Sequence, residues 1–301
     1  MSIQALREFI NRHNTYATGL AALGAALDAK ASGTPLEPAI GARVEELLAA
    51  LGAGDMLSGV SAEEATPLVP EIRHQLRLNS KLLYAETRST CWSYPDPQLL
   101  SEIGEFSRAH ANAITRMAVP ALDGLSQRFE APGAAFLDIG VGVAGTAVAL
   151  AQQWPALRIV GIDVWQPSLA LARENVEKAN LGERIELREQ GAETLVDDQV
   201  FDLAWMPIPF IPERVIPASA ERTLRALRSG GWVILPFANL EGMDAASTAF
   251  WRLRLATWGG PQWATSDVEK VLRDAGFVEV RTLPRPPGGP VSLTVGRRSP
   301  G

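Results

Sequence analysis

Residues 136–145 read Phe-Leu-Asp-Ile-Gly-Val-Gly-Val-Ala-Gly. A short apolar run closes on a carboxylate, Asp138, and breaks into glycines at 140, 142 and 145 before a helical pattern over 144–153. Glycines between a strand and a helix let the chain turn tightly and bring its backbone close to a ligand. A purely structural turn would look the same at first sight, so the flanking sequence has to decide.

Outward from this stretch the pattern alternates. Apolar runs at 135–138, 158–163, 185–188, 202–205 and 232–236 are separated by helical patterns at 144–153, 167–180 and 213–227. Strands alternating with helices predict βαβ units and a parallel sheet. Two further helices, near 244–258 and 266–275, precede strands at 278–283 and 291–296. The stiff connection Pro284–Pro290 makes that last pair antiparallel, since neighbouring strands joined so closely cannot cross over. Upstream, residues 1–131 show helical periodicity at about 3–29, 37–52, 67–88 and 97–128, the last broken near Asn112. The Ala-rich run 17–29 reads as a helix packed through small residues. The expected division is a helical cap at 1–111, serving substrate binding and open to dimerisation, and a catalytic domain at 112–301.

Composition narrows the function. The 301 residues are 47% hydrophobic and 21% charged, with net charge −6, which gives no general attraction to nucleic acid or anionic lipid. One cysteine, Cys91, allows no internal disulfide and suits a reducing, cytoplasmic compartment. No secretory leader and no membrane-spanning apolar stretch is read in the chain. No metal site, nucleic-acid partner or membrane partner is expected.

The carboxylates give the glycine loop its meaning. Gly140, Gly142 and Gly145 fit the dinucleotide fingerprint literally, but Asp138 would repel a pyrophosphate and suits a cationic ligand instead. Asp163 ends the next strand, where a carboxylate can accept hydrogen bonds from both hydroxyls of a ribose.

With these motifs in order, the chain resembles the class I, Rossmann-like S-adenosylmethionine-dependent methyltransferases over roughly residues 112–298. The resemblance implies a seven-stranded, mostly parallel sheet with the last strand inserted antiparallel. It implies S-adenosylmethionine as cofactor and S-adenosylhomocysteine as product. It places the methionine part against Asp138, Gly140, Gly142 and Gly145, the ribose on Asp163, and the adenine beside Val164 or Trp165. Phe201–Pro207 matches the fourth strand and its loop, so Trp205 and Met206 would meet the cofactor. One departure stands out. Family members often carry a Gly-Asp-Ala before the fourth strand; here the run is Glu189-Gln190-Gly191-Ala192-Glu193, leaving Gln190, Ala192 and Glu193 to read the adenine.

The segment Met206-Pro207-Ile208-Pro209-Phe210-Ile211-Pro212 follows a strand end, where ligands bind in open α/β sheets. It loosely resembles the Asp/Asn-Pro-Pro-Tyr loop of amino-group methyltransferases, with Met206 in place of the polar residue. Pro207 and Phe210 are therefore candidate substrate contacts, with Tyr16 and Tyr84 from the helical region. Of three histidines, His110 alone is placed to act as a base, titrating near ~6.5 if unperturbed; a lone helical histidine is otherwise structural. The remaining aromatics, among them Trp92, Tyr94, Trp251 and Trp258, read as core. The expected reaction is methyl transfer to oxygen or carbon of a small organic metabolite. The alternatives are a non-methylating cyclase or lyase that uses the same cofactor, a nicotinamide-dependent oxidoreductase, and a noncatalytic cofactor-binding protein.

Overall fold

The computed structural model describes residues 3–84, 92–284 and 291–301. Cys91 lies outside the described residues. The chain forms two compact units, residues 1–86 and 87–301. The division expected at residue 111 falls inside the second unit.

The first unit is helical: α1 (Ile3–Ser32), α2 (Pro38–Ala50), α3 (Gly54–Ser58), α4 (Ala62–Ala65) and α5 (Leu68–Tyr84). α3 and α4 are too short to show a helical period in the sequence. Ser61 starts α4 with a reciprocal capping box to Glu64, which satisfies two N–H groups that the helix leaves over. The second half of α1 packs on α2, α4 and α5 around Leu27, Ala65 and Val69. A side chain at Gly24 would press on Ile72, so the small residues of the Ala-rich run do set the packing distance. Residues 3–18 of α1 are exposed throughout.

The second unit opens with α6 (Pro97–Ala113), a π turn at Ile114–Ala118, α7 (Val119–Ala121) and α8 (Leu125–Glu130). The break expected near Asn112 is this π turn, followed by Pro120. Then follow β1 (Ala135–Ile139), α9 (Gly145–Gln153), β2 (Arg158–Asp163), α10 (Gln166–Lys178), β3 (Ile185–Glu189), β4 (Phe201–Trp205), α11 (Ile216–Ala226), β5 (Leu227–Ala238), α12 (Ala245–Trp258), α13 (Thr265–Asp274), β6 (Val278–Thr282) and β7 (Val291–Arg297). The connection at 285–290 lies outside the described residues, but the strands on either side pair antiparallel as its stiffness implied.

The seven strands lie in the order β3-β2-β1-β4-β5-β7-β6. β1 to β5 are mutually parallel, and β7 runs antiparallel between β5 and β6. Every residue of β1 and β4 is buried, as expected where helices cover both faces of a parallel sheet. The two-residue repeat divides the side chains cleanly. Phe136, Leu203, Trp205, Trp232 and Ile234 join one apolar layer with residues of α8, α9 and α10. Leu137, Ala204, Met206, Val233 and Leu235 join the opposite layer with residues of α11 and α13. The strand order reverses at β1, between β2 and β4, which opens a crevice at the carboxyl ends of those strands.

The other end of the sheet is closed by ions. Asp202, buried at the start of β4, meets Arg128 at 3.2 Å and Arg228 at 2.6 Å and accepts the Ala135 N–H at 3.0 Å. The same guanidiniums donate to the Ser229 and Gly133 carbonyls, tying the turn before the apolar run of β5 to the entry of β1. This tie explains why β5 begins at Leu227, ahead of the run at 232–236. Its first residues stay extended, and the register with β4 shifts between Phe201 and Leu203. Asp202→Ala would strand two guanidiniums that still reach water. It is expected to cost about 2–4 kcal/mol, below the full penalty for breaking a buried pair. A denaturant midpoint equal to that of the wild type would show that the clamp does not hold the sheet.

Candidate active site at the carboxyl end of β1 and β2

The glycine loop leaves β1 through left-handed backbone at Gly140 (φ 69°) and Gly142 (φ 56°) and enters α9 through Ala144 (φ 66°). The N–H groups of Gly140 and Val141 donate to the Ile162 carbonyl at 2.8 and 3.0 Å. The Gly142 N–H donates to Asp163 Oδ2 at 2.9 Å, and Asp163 Oδ1 accepts the Trp165 N–H at 2.8 Å. Burial raises the Asp163 pKa, and these backbone N–H groups oppose the rise.

Asp138 stands differently. It is 2% exposed, and its Oδ2 has no hydrogen-bond partner. Desolvation, with the Asp163 charge second, pushes its pKa up to about 8. A buried carboxylate without a donor is costly when ionised, so this position suits a ligand that brings a cation. The arrangement fits S-adenosylmethionine on the chain's own terms. An orphaned acid suits an ammonium, a loop without side chains at 140 and 142 lets the ligand approach, and a second carboxylate offers its remaining lone pairs to a ribose.

The other residues expected around the adenine lie beside Asp163. Val164 is 69% exposed. The Trp165 indole donates to the Tyr94 carbonyl at 3.1 Å. The Gln190 N–H donates to the Asp163 carbonyl, while its side-chain amide is bonded to Thr194 O. Ala192 is buried, and the Glu193 carboxylate folds over Gly191.

α6 is seated directly on the loop. A Cβ on Gly145 would collide with the Gly104 carbonyl and Ser107 Oγ. Thr146 Oγ1 donates to Ser107 O at 3.0 Å, and Arg108 reaches Gln152 at 3.1 Å. The helix is started by Asp96, whose carboxylate caps the N–H groups of Gln98 and Leu99. Thus held, α6 brings the His110 ring to 5.5 Å from Trp205 and 5.9 Å from Phe106. Trp205 pairs with Asp138 across β1 and β4, so His110 stands at the crevice. Among these rings its pKa is pushed down to about 4 by desolvation, and it is neutral at physiological pH. The ring thus titrates well below the ordinary histidine value that the sequence alone suggests.

Around the 206–212 loop the structure separates the expected contacts. Met206 is fully buried in the layer shared with α11 and α13, and its N–H donates to Ile234 O. Pro207 comes close to Gly140. Phe210 belongs to an aromatic cluster: Trp92 lies 5.1 Å and Trp258 4.9 Å from it, with Tyr94 beside Trp92 and Trp251 beside Trp258. Arg254, buried one turn before Trp258, stacks over Phe250 at 5.2 Å, and desolvation lowers its pKa. The sequence does not show that Trp92 and Trp258 meet Phe210; the seven-residue spacing of Trp251 and Trp258 equally describes a core face. Tyr16 and Tyr84 are on the first unit and strongly exposed. A separate groove of about 260 Å³ between α11 and α13, lined by Trp263, shares no residue with this crevice.

Comparison with known proteins agrees with the geometry. Residues 136–231 match the family model of the methyltransferase domain. A release factor glutamine methyltransferase from Geobacter sulfurreducens is 40% identical over 111 residues, covering 36% of this chain and 38% of that protein. The S-adenosyl-L-methionine-dependent methyl transferase PigF of Serratia sp. is 24% identical over 215 residues, covering 68% of this chain and 59% of PigF. The chain thus aligns with less than two thirds of the length of these curated relatives. In structure, PigF with S-adenosylhomocysteine superposes with a TM-score of 0.62 at 22% identity, over 99% of this chain and 100% of PigF. Human N-acetylserotonin methyltransferase in complex with S-adenosylmethionine gives 0.64 at 14% identity, over 99% of both chains. The antiparallel β7, the match of residues 136–231 to the methyltransferase-domain model and these likenesses count against the nicotinamide alternative: the chain has the class I, Rossmann-like fold seen in S-adenosylmethionine-dependent methyltransferases.

Proposed function

We propose that the chain is an S-adenosylmethionine-dependent methyltransferase that acts on oxygen or carbon of a small organic metabolite in the cytoplasm. The observation that carries the reading is the pair of carboxylates, Asp138 and Asp163, on the two strand ends that flank the glycine loop. Asp138 would hold the amino-acid end of the cofactor, Asp163 its ribose, and the turn of Gln190, Ala192 and Glu193 its adenine edge. Bound there, S-adenosylmethionine supplies an activated methyl group and leaves as S-adenosylhomocysteine. The protein's share of the work is alignment and exclusion of water.

The acceptor side is supported by the aromatic wall of Phe210, Trp92 and Trp258 beside Pro207. Transfer to an amide, the reaction named for the Geobacter relative, is less well supported. A polar residue ahead of Pro207 would be needed to grip the amide, and Met206 stands there with its side chain in the core. The acidic net charge disfavours nucleic acid, and among the described residues no helix is long and apolar enough to cross a membrane.

The exposed half of α1 supports pairing with a second copy. Ile3, Leu6, Ile10 and His13 follow the alternating three- and four-residue spacing of a helix–helix seam, flanked by exposed Phe9 and Tyr16. Most of a helix's stability in a protein comes from what packs on its apolar face, and this half of α1 presents such a face to solvent.

Incubation with labelled cofactor and a panel of phenols and enols, read by mass for the gain of one CH2 unit, tests the reaction itself. Cofactor uptake without such a gain in any acceptor would favour the non-methylating alternative. Asp163→Ala is expected to weaken S-adenosylhomocysteine binding by about 1.5–3 kcal/mol, the worth of hydrogen bonds to a charged acceptor. Equal affinities by calorimetry would remove Asp163 from the ribose. His110→Ala should lower kcat by on the order of 10²-fold if the ring accepts the acceptor's proton. Because its pKa is depressed, the histidine stays unprotonated as pH falls, and at saturating cofactor the fall in kcat that it causes should set in only near pH 4. A limb near the ordinary histidine value would assign the titration to another group. For the pairing, Ile10→Glu should convert a dimer to a monomer in light scattering; identical masses would leave the seam without that role.

A further inference from the structure

The two carboxylates of the crevice lie close enough to repel, yet the chain treats them unequally. The loop has few N–H groups to offer. Those of Gly140 and Val141 are taken by Ile162 O, and that of Gly142 goes to Asp163. Asp163 also takes the Trp165 N–H. None of these reaches Asp138 Oδ2, which is buried and unpartnered. The elements around it carry Asp163 at the end of β2, Glu189 at the end of β3, Tyr94 behind Trp165, and Glu102, Glu105, Arg108 and His110 on α6. Arg108 is turned to Gln152 of α9, and His110 is neutral. Among the described residues no cation pairs with either aspartate. Two adjacent carboxylates served so differently divide their protonation: the one with backbone donors ionises first, and the other keeps its proton.

We infer that Asp138 is protonated in the free protein and gives up its proton to solvent when the ammonium of the cofactor is captured, so that cofactor binding is proton-linked. The inference rests on the cofactor reading above and adds to it what the acid carries before the ligand arrives. The O–H bond at Asp138 breaks, the proton passes to buffer, and the carboxylate left behind is neutralised by the ligand's ammonium. The burial that lifts the acid to about 8 sets the window. Above it Asp138 is already ionised and no proton moves. Below it protons compete with the ligand, and the apparent Kd rises about tenfold per pH unit of acidification. The same shift acts on the stability of the free protein. A carboxyl whose folded pKa lies above its unfolded value stabilises the fold below the unfolded pKa and loses that contribution as pH rises through the window to about 8. Ligand binding should therefore stabilise most at the alkaline end.

Calorimetry with S-adenosylhomocysteine, which carries the ammonium but cannot react, tests this in two buffers of different ionisation enthalpy at matched neutral pH. Close to one proton released per ligand is expected, falling toward none above the window. Asp138→Asn should bind without proton release and with a pH-independent Kd over the same range. Infrared spectra of the free wild-type protein supply the measurement that does not depend on the variant folding. A carboxylic-acid C=O band should be present at neutral pH, fade on alkalinisation and vanish on adding the ligand. Binding with no buffer dependence and no such band overturns the inference while leaving the cofactor reading intact. No binding at any pH overturns both.

Discussion

The carboxylate of Asp163 accepts two backbone N–H groups, from Gly142 in the glycine loop and from Trp165 at the start of α10, and the geometry of the crevice hangs on that fork. It joins the end of β2 to the loop leaving β1, and so fixes how far the loop opens. With Gly140 and Val141 already bonded to Ile162 O, the loop has no freedom left to relax around Asp138. The left-handed turn at Ala144, strained for a residue with a Cβ, is held by the same network. From there the constraint passes outward through contact. Gly145 lets α6 approach to backbone distance, and α6 delivers His110 to the ring of Trp205. A single carboxylate at a strand end thereby positions a helix that it does not touch.

Much of this is legible in the sequence because it rests on local rules. Phe136, Leu203 and Ile234 face one layer, while Leu137, Ala204, Val233 and Leu235 face the other. Continuous apolar runs of this kind are what a parallel strand buried on both faces must show. The glycine positions, the acid at 138 and the acid at 163 are equally readable, since a turn and a strand end dictate those residue types one at a time.

What stays hidden depends on burial or on contacts between distant segments. Periodicity marks 97–128 as helical with a break near Asn112 but cannot show that Gly104 meets Gly145, so the sequence reading divides the chain at residue 111 where contacts divide it at 86. Met206 follows a strand that ends in the crevice, yet the alternation carries its side chain to the opposite layer. The aromatic residues at 92, 210 and 258 come together from three segments, and each alone is indistinguishable from core. His110 is readable as a candidate base. Its low pKa is not, because it comes from burial, and the packing of α6 against Trp205 on β4 joins segments far apart in the sequence.

The two ends of the sheet show what a buried aspartate means in each setting. At the amino end, Asp202 has two guanidiniums and a backbone N–H within reach. Its charge is matched by the chain itself, and the result is a fixed joint between β1, β4 and β5. At the carboxyl end, Asp138 has no donor on Oδ2. Both sit on neighbouring central strands with almost no exposure, so burial alone does not distinguish them. The difference is that the fold completes one site and leaves the other to be completed by a ligand. A buried charge satisfied internally reads as architecture; one left unsatisfied at a strand end, beside a glycine loop, is where a ligand's opposite charge gains the most.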